Sequence, residues 1–257
     1  MHPSAIAAWR KWNQPNEGWL PFMYTDDAPP SAAFPNGIVT VGMGNALESI
    51  GAAQAAGFTD PDGSPSDPGE VAAQWQAVHD GPHNSSTGAG YLTTIRLSDA
   101  AIEALNDKTI AQNEQTLREF FPTWDSLSAD AQAAIMSMAW AMGPGFPATF
   151  GNFTAAVNRG DWAGAIAAHA YHGVGTQNRQ AQEIVALKNA AAVDAQGLDP
   201  ATLYWPGDAS TAIGGALAKI GPTVLGLSLL AGGAAAVAHF RPVLFARALG
   251  TLKGWWS

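Results

Sequence analysis

Carboxyl groups near the start of the chain are candidates for acid–base chemistry. Glu17 lies among aromatic and apolar residues between Trp12 and Phe22, and Asp26 and Asp27 end a short strand-like run. Apolar surroundings favour the protonated form of a carboxyl group, so Glu17 is suited to donate a proton. An ionised aspartate is suited to activate water. A proton donor paired with an ionised carboxylate is the combination that hydrolyses glycosidic bonds.

Two predicted strands position these carboxyl groups. Residues 22–24 form the first, and residues 38–44 alternate as a second strand that ends on Gly42 and Gly44, which permit tight backbone turns. One carboxyl group precedes the pair of strands and another follows the first strand. The pattern therefore predicts a hairpin that faces both carboxyl groups into one cleft.

The spacing of these residues resembles the phage-type lysozymes, the muramidases of glycoside hydrolase family 24. Glu17-Gly18, Tyr24 with Asp26, and the run 40–44 match the family pattern of E-G, Y-x-D and T-x-G-x-G. The resemblance implies that Glu17 is the general acid and that Asp26 is the base that orients a water molecule. It also implies that the hydroxyl group of Thr40 helps to hold that water. No metal or organic cofactor is expected.

The chain departs from the family pattern at two places. The stretch between Asp26 and Thr40 is longer than in short members, and Asn45 stands where the family usually has His. Neither departure removes a catalytic group, but the longer loop makes Asp27 an alternative to Asp26 as the base. A chance glutamate beside a helix-capping aspartate is the other interpretation, which the agreement of several spaced features disfavours.

The rest of the first 200 residues is predicted to be mostly helical. Ser98 and Ser128 are typical N-caps ahead of apolar runs. The predicted helices are 3–13, 46–56, 68–78, 99–121, 129–142, 153–158, 161–169 and 176–192. Together with the hairpin they predict the α+β class, and the resemblance implies a lysozyme-like fold with a small N-terminal β lobe, a larger helical lobe and a cleft between them.

Two later segments extend the resemblance. Residues 127–143 are similar to the family's L-S-x-x-Q-x-A helix, with Met142 in place of the usual Asn, and residues 178–190 are similar to its R-R-x-x-E-x-x-L block. Arg179 and Glu183 are one helical turn apart, and we expect a structural role for them, as a weak pair on the helix surface.

Residues 201–257 are predicted to be a linker, which includes Tyr204 to Asp208, and a hydrophobic tail. Residues 220–238 carry no charge and just reach the thickness of a bilayer's hydrocarbon core, and basic residues and a Trp pair follow them. We expect a transmembrane helix that leaves the catalytic domain on the wall side of the inner membrane and self-associates through small residues. A buried helical contact in an oligomer or a virus particle is the alternative.

Composition and net charge restrict the binding partners and cofactors that the chain could have. The net charge of −9 argues against nucleic-acid binding, and it is also unfavourable for attraction to anionic wall polymers. The chain has no cysteine for disulfides or thiol chemistry. His79 and His83 are separated by Gly81 and Pro82, which predicts a surface loop rather than a metal site. Residues 1–4 do not resemble the start of a signal peptide.

The predicted function is therefore cleavage of the β-1,4 bond between N-acetylmuramic acid and N-acetylglucosamine in peptidoglycan. Glycan strands are the expected partner, and the periplasm or cell wall is the expected place of action. The enzyme would serve in phage lysis, in DNA entry as a virion component, or as an antibacterial toxin. The alternatives are a non-catalytic glycan-binding or structural module, and a membrane-perturbing or ejected phage protein that carries a passenger lysozyme fold.

Overall fold

The computed structural model describes residues 1–26, 31, 33–83, 92–171 and 176–206. Within these ranges the chain is α+β, with eight α-helices and one three-stranded antiparallel sheet. The helices are α1 (Pro3–Glu17), α2 (Ile50–Gln54), α3 (Pro68–Asp80), α4 (Asp99–Phe120), α5 (Ala129–Met142), α6 (Gly151–Asn158), α7 (Trp162–Ala168) and α8 (Thr176–Gln196). The strands are β1 (Leu20–Thr25), β2 (Val39–Gly42) and β3 (Asn45–Ala46).

The sheet confirms the predicted hairpin and adds a strand to it. β1 pairs with β2, with Tyr24 opposite Thr40, and β2 pairs with β3. Leu20 lies opposite Gly42, so β1 has three residues between these two paired positions where β2 has one. Extra residues of this kind form a bulge, which bends the strand that carries it.

The predicted helix 46–56 is wrong at its start. Ala46 belongs to β3, and the helix that follows begins only at Ile50. The hydroxyl group of Ser49 accepts the N–H of Ala52, so Ser49 is the N-cap. The alanine-rich composition does not show where the helix begins, and the capping serine sets that boundary.

The other helix starts agree with the sequence signals. Ser98 accepts the N–H of Ala101, and Ser128 accepts the N–H of Ala131. Both serines are therefore N-caps, as predicted. The predicted helices after residue 128 are observed with boundaries that differ by a few residues.

Two apolar clusters fill the interior. The sheet packs with α2 and α3 around residues such as Val41 and Trp75, while α1 and the helices from α5 onwards surround a second cluster. Helix α4 belongs to both, because Ile102 lies in the sheet cluster and Ile110 and Leu117 lie in the helical one. A single long helix therefore joins the region that carries the hairpin to the helical region.

Helix α5 is the centre of the helical cluster. Every residue from Ala129 to Trp140 is buried, and α5 packs most extensively against α8. Five of these buried positions are alanine, which lets neighbouring helix axes approach closely. The consequence is that the face of α8 turned towards α5 is also inside the protein.

The start of the predicted linker packs against the helical cluster. The carboxylate of Asp130 is fully buried and accepts the backbone N–H groups of Tyr204 and Trp205 at 2.8 and 2.9 Å. The ring of Trp205 lies 4.4 Å from that of Trp12. Leu203 and Trp205 therefore pack in the core, and Pro206 is the last described residue.

The predicted membrane-spanning run 220–238 lies outside the described residues. Within the described ranges, none of the helices combines the length and the apolar character that a membrane crossing needs.

Candidate functional site

Glu17 is the last residue of α1, and its side chain is buried in an ion pair with Arg179 of α8. Gly18 ends the helix with φ +77°, a conformation that favours glycine, and its N–H bonds to the carbonyl of Gln14. The side chains of Glu17 and Arg179 are only 7% and 6% exposed. Such a pair is only weakly screened by solvent.

The guanidinium group of Arg179 makes further hydrogen bonds to α1 and to α5. It donates to the side-chain oxygen of Asn13 on α1 at 3.3 Å, and to the carbonyl oxygen of Ser137 on α5 at 3.2 Å. Arg179 therefore ties the catalytic candidate Glu17 to the centre of the helical cluster.

The prediction that Arg179 and Glu183 form a surface pair is wrong. Arg179 is 5% exposed and Glu183 is fully buried. Instead of a local pair, Arg179 bonds to Glu17, and Glu183 accepts hydrogen bonds from His169 and Tyr171 at 2.7 and 2.9 Å. The reason is tertiary, since α8 packs on α5 and α7 with this face inward.

The buried cluster around Glu183 includes a tyrosine that stays protonated. Desolvation first, and then the negative charge of Glu183, raise the pKa of Tyr171 far above its usual range. Tyr171 is therefore a permanent hydrogen-bond donor to Glu183. The charge of Arg179 acts in the opposite direction on the same tyrosine, so the ion pair and the Glu183 cluster are within electrostatic reach of each other.

The apolar setting predicted for Glu17 is present, but it contains a cation. A guanidinium group beside a carboxyl group favours the ionised form, whereas apolar surroundings alone favour the protonated form. Arg179 is the functional candidate that sequence reasoning misplaced. The signal for it was Glu17 itself, because a carboxylate buried at the end of a helix needs a partner.

Asp26 follows β1 and is held by the backbone of Ile38. Its N–H donates to the Ile38 carbonyl at 3.0 Å, and its Oδ1 accepts the Ile38 N–H at 2.8 Å. The side chain is buried. Gly37 makes this contact possible, because it has φ +97° and a Cβ atom there would collide with the backbone oxygen of Asp26. The carboxylate therefore has a fixed orientation.

The hairpin brings Thr40 and Asp26 together. Thr40 lies opposite Tyr24, and Asp26 is two residues beyond Tyr24, so the side chains of Thr40 and Asp26 point to the same face. The Thr40 hydroxyl group donates to the Ile38 carbonyl at 3.0 Å, the same oxygen that accepts from the N–H of Asp26. Glu17 lies beyond the other end of β1, across the bulge. The alternative base, Asp27, lies outside the described residues.

Asn45, which stands in the place of the family's histidine, links β3 to α4. Its amide group donates to the side-chain oxygen of Asn106 at 2.8 Å, and its own oxygen accepts the hydroxyl group of Thr109 at 3.0 Å. All three side chains are buried. This residue therefore has a structural role between the sheet and α4.

The two histidines predicted to lie in a surface loop contact the segment before β2. His79 belongs to α3 and is partly buried, whereas His83 is exposed. His79 donates a hydrogen bond to the carbonyl oxygen of Ala33, and His83 donates one to the carbonyl oxygen of Asn36. In the part of the chain that the structure describes, no three His, Asp or Glu side chains come together as metal ligands would.

Comparison of the chain with protein-family models and with curated proteins finds no match.

Proposed function

We propose that this protein is a peptidoglycan hydrolase of the phage-lysozyme type. It would cleave the β-1,4 bond between N-acetylmuramic acid and N-acetylglucosamine by general acid and base catalysis. The observation that carries the proposal is the pair of buried carboxyl groups, Glu17 and Asp26, that flank one bulged strand in the family's order and spacing.

In this mechanism Glu17 donates a proton to the leaving glycosidic oxygen. Arg179 holds the Glu17 side chain in one orientation before substrate binds. Because the guanidinium group favours the ionised form, Glu17 must take up a proton and weaken this ion pair as the reactive complex forms. The hydrogen bonds that Arg179 donates to Asn13 and to the carbonyl of Ser137 keep the arginine in place during that change.

Asp26 acts as the base that orients the attacking water. The N–H of Ile38 holds Oδ1, and a hydrogen bond to a carboxylate favours the ionised form that a base requires. The hydroxyl group of Thr40 lies on the same face and has lone pairs that can accept a hydrogen bond from the same water. The lysozyme-like arrangement of a β lobe and a helical lobe belongs to this proposal, and the two apolar clusters joined by α4 support it.

The sequence of residues 220–238 suggests where in the cell the protein acts. We infer from their sequence that they attach the protein to the inner membrane, with the catalytic residues on the side of the wall. Flotation of the full-length protein with liposomes tests this inference. Recovery of all the protein in the soluble fraction as a uniform oligomer would instead indicate a protein–protein contact.

The activity test is digestion of purified peptidoglycan by the full-length protein. Fragments with new reducing ends at N-acetylmuramic acid are the expected products, identified by mass spectrometry after borohydride reduction. The matched control is the Glu17→Gln variant, which keeps the shape of the side chain and cannot donate the proton. Equal product from both proteins, or no product from either, would contradict the proposal.

A further inference from the structure

His79 contacts two hydrogen-bond acceptors at once. Its Nε2 lies 2.8 Å from the carbonyl oxygen of Ala33, and its Nδ1 lies 2.7 Å from Oδ1 of Asp80. A carbonyl oxygen and a carboxylate oxygen can only accept. A neutral imidazole has one N–H, so it satisfies one of these acceptors, whereas the protonated ring satisfies both.

The ring of His79 is held in this orientation by packing. It stacks on Trp75, one turn earlier on α3, with ring centroids 4.8 Å apart, and it meets the edge of Phe34 at 5.9 Å. The indole N–H of Trp75 is itself bonded to the carbonyl of Leu47 at 2.8 Å. The side chain of His79 is only 17% exposed. The ring of His79 is therefore fixed on α3 and holds the loop of residues 33–37 by a hydrogen bond.

The same loop leads directly to the proposed base. Asn36 donates to the carbonyl of His79 at 3.3 Å, so the loop and the end of α3 are bonded in both directions. Gly37 follows, and the next residue, Ile38, is the one whose N–H holds the carboxylate of Asp26. The position of this loop therefore fixes the position of the donor to Asp26.

We propose that His79 is a positioning residue that acts in its protonated form, holding residues 33–37 against α3 so that Ile38 keeps the carboxylate of Asp26 in place. The effect of His79 on the loop is inferred from the contacts between them, independently of any catalytic activity. The effect on catalysis rests on the proposed function.

Four charged or titratable groups surround this loop. Asp80 bonds to His79 from the same helix, and His83 lies on the other side of Asn36, 3.0 Å from its carbonyl oxygen. Asp26 lies beyond Ile38 at the end of β1. The hydrogen bond to Asp80, followed by that to the Ala33 carbonyl, raises the pKa of His79 above its usual 6.5. Because the folded-state pKa is raised, the stabilisation is fully present below about pH 6.5 and is lost as the pH rises through the raised value.

The test is amide hydrogen exchange of the full-length protein by NMR between pH 5 and 9, corrected for intrinsic exchange rates. The reporters are the amides of Gly37 and Ile38. We expect their protection to fall about tenfold as His79 loses its proton, since the one N–H of the neutral ring then bonds to the carboxylate of Asp80 and the hydrogen bond to the Ala33 carbonyl is lost. In the His79→Phe variant, which keeps a stacked ring without donors, protection is low at every pH.

Two further variants separate the contributions. His79→Gln keeps one donor that does not titrate, so its protection is independent of pH. Asp80→Asn removes the carboxylate, and the transition moves to lower pH. His83→Gln is the matched control, and we expect the wild-type transition in it. A transition that survives in His79→Phe, or that disappears in His83→Gln, would overturn the assignment to His79.

Peptidoglycan cleavage by the same variants tests the effect of His79 on catalysis. As the pH rises, the cleavage rate of the wild-type protein is expected to decrease over the same range in which the Ile38 amide loses protection. The cleavage rate of His79→Gln is expected to show no decrease in that range. If exchange follows the expected pattern while no variant cleaves peptidoglycan at any pH, the loop contact stands and the proposed hydrolase activity fails. If cleavage occurs without any step linked to His79, the activity stands and its positioning role is wrong.

Discussion

The two candidate catalytic carboxyl groups are both buried, but they are held in different ways. Glu17 is paired with the side chain of Arg179, which lies 162 residues later in the chain. Asp26 is held by the backbone of Ile38, only 12 residues away. The acid therefore depends on the packing of α1, α5 and α8, whereas the base depends on the pairing of two neighbouring strands.

This difference has a physical consequence. A backbone N–H is present whatever the side chain at position 38, so the hydrogen bond from Ile38 to Asp26 depends on the strand register and not on the identity of a side chain. The ion pair of Glu17 needs one particular long side chain, and the removal of one member of a buried ion pair is strongly destabilising. The two regions should respond differently to substitution.

Glu17→Gln is expected to have the largest effect. The amide cannot donate a proton, so the cleavage rate falls by about 10² to 10⁴, while an oxygen atom remains to accept from Arg179. Cleavage is measured on purified peptidoglycan, and the denaturation midpoint confirms folding. Glu103→Gln, at an exposed glutamate of α4, is the control. A rate above about a tenth of wild type would assign the acid to another residue.

Arg179→Met tests the long-range support directly. We expect the free energy of unfolding to fall by about 3–5 kcal/mol, since one member of a buried ion pair is removed. Denaturation in urea measures the change. The double variant Glu17→Gln with Arg179→Met is expected to recover part of the loss. Additive effects in the double variant would show that the ion pair itself contributes little.

Asp26→Asn tests the local support. The asparagine oxygen still accepts the N–H of Ile38, so stability changes little, but the cleavage rate falls about a hundredfold because the amide is not a base. Asp27→Asn is the matched control and should be far less damaging. A larger loss in Asp27→Asn would show that the neighbouring aspartate faces the substrate and that the assignment of the base is wrong.

Thr40→Val is expected to have the smallest effect of the four. The valine keeps the shape and removes the hydroxyl group, so the cleavage rate falls about fivefold to tenfold, equivalent to about 1 kcal/mol for one lost hydrogen bond. Thr40→Ser retains the hydroxyl group and should keep most of the rate. If serine and valine give the same rate, the hydroxyl group has no part in holding the water.

The local half of the site was predictable from sequence. Alternation and glycine positions gave the hairpin, and the strand register then places Thr40 and Asp26 on one face. The partner of Glu17 was not predictable by the same means, because spacing along α8 relates Arg179 only to its neighbour Glu183. Which face of α8 is buried depends on α5, and an alanine-rich helix has too little apolar contrast to indicate its inner side.

The α+β class and the caps at Ser98 and Ser128 were also predictable, since each depends on local signals. The bulge in β1 and the short strand β3 were not. A bulge inserts residues without a distinctive composition, and β3 has two residues, which is shorter than any alternating pattern that can be recognised.

Gly37 has a consequence for how such a chain can change during evolution. No other residue fits there without displacing the backbone of Asp26, so the junction between the loop and β2 is closed to substitution. Insertions and deletions ahead of Ala33, where the contacts of His79 with the loop begin, leave both that junction and those contacts in place. The loop between the hairpin strands can therefore grow or shrink over generations, while the geometry of Asp26, Ile38 and Thr40 is inherited unchanged.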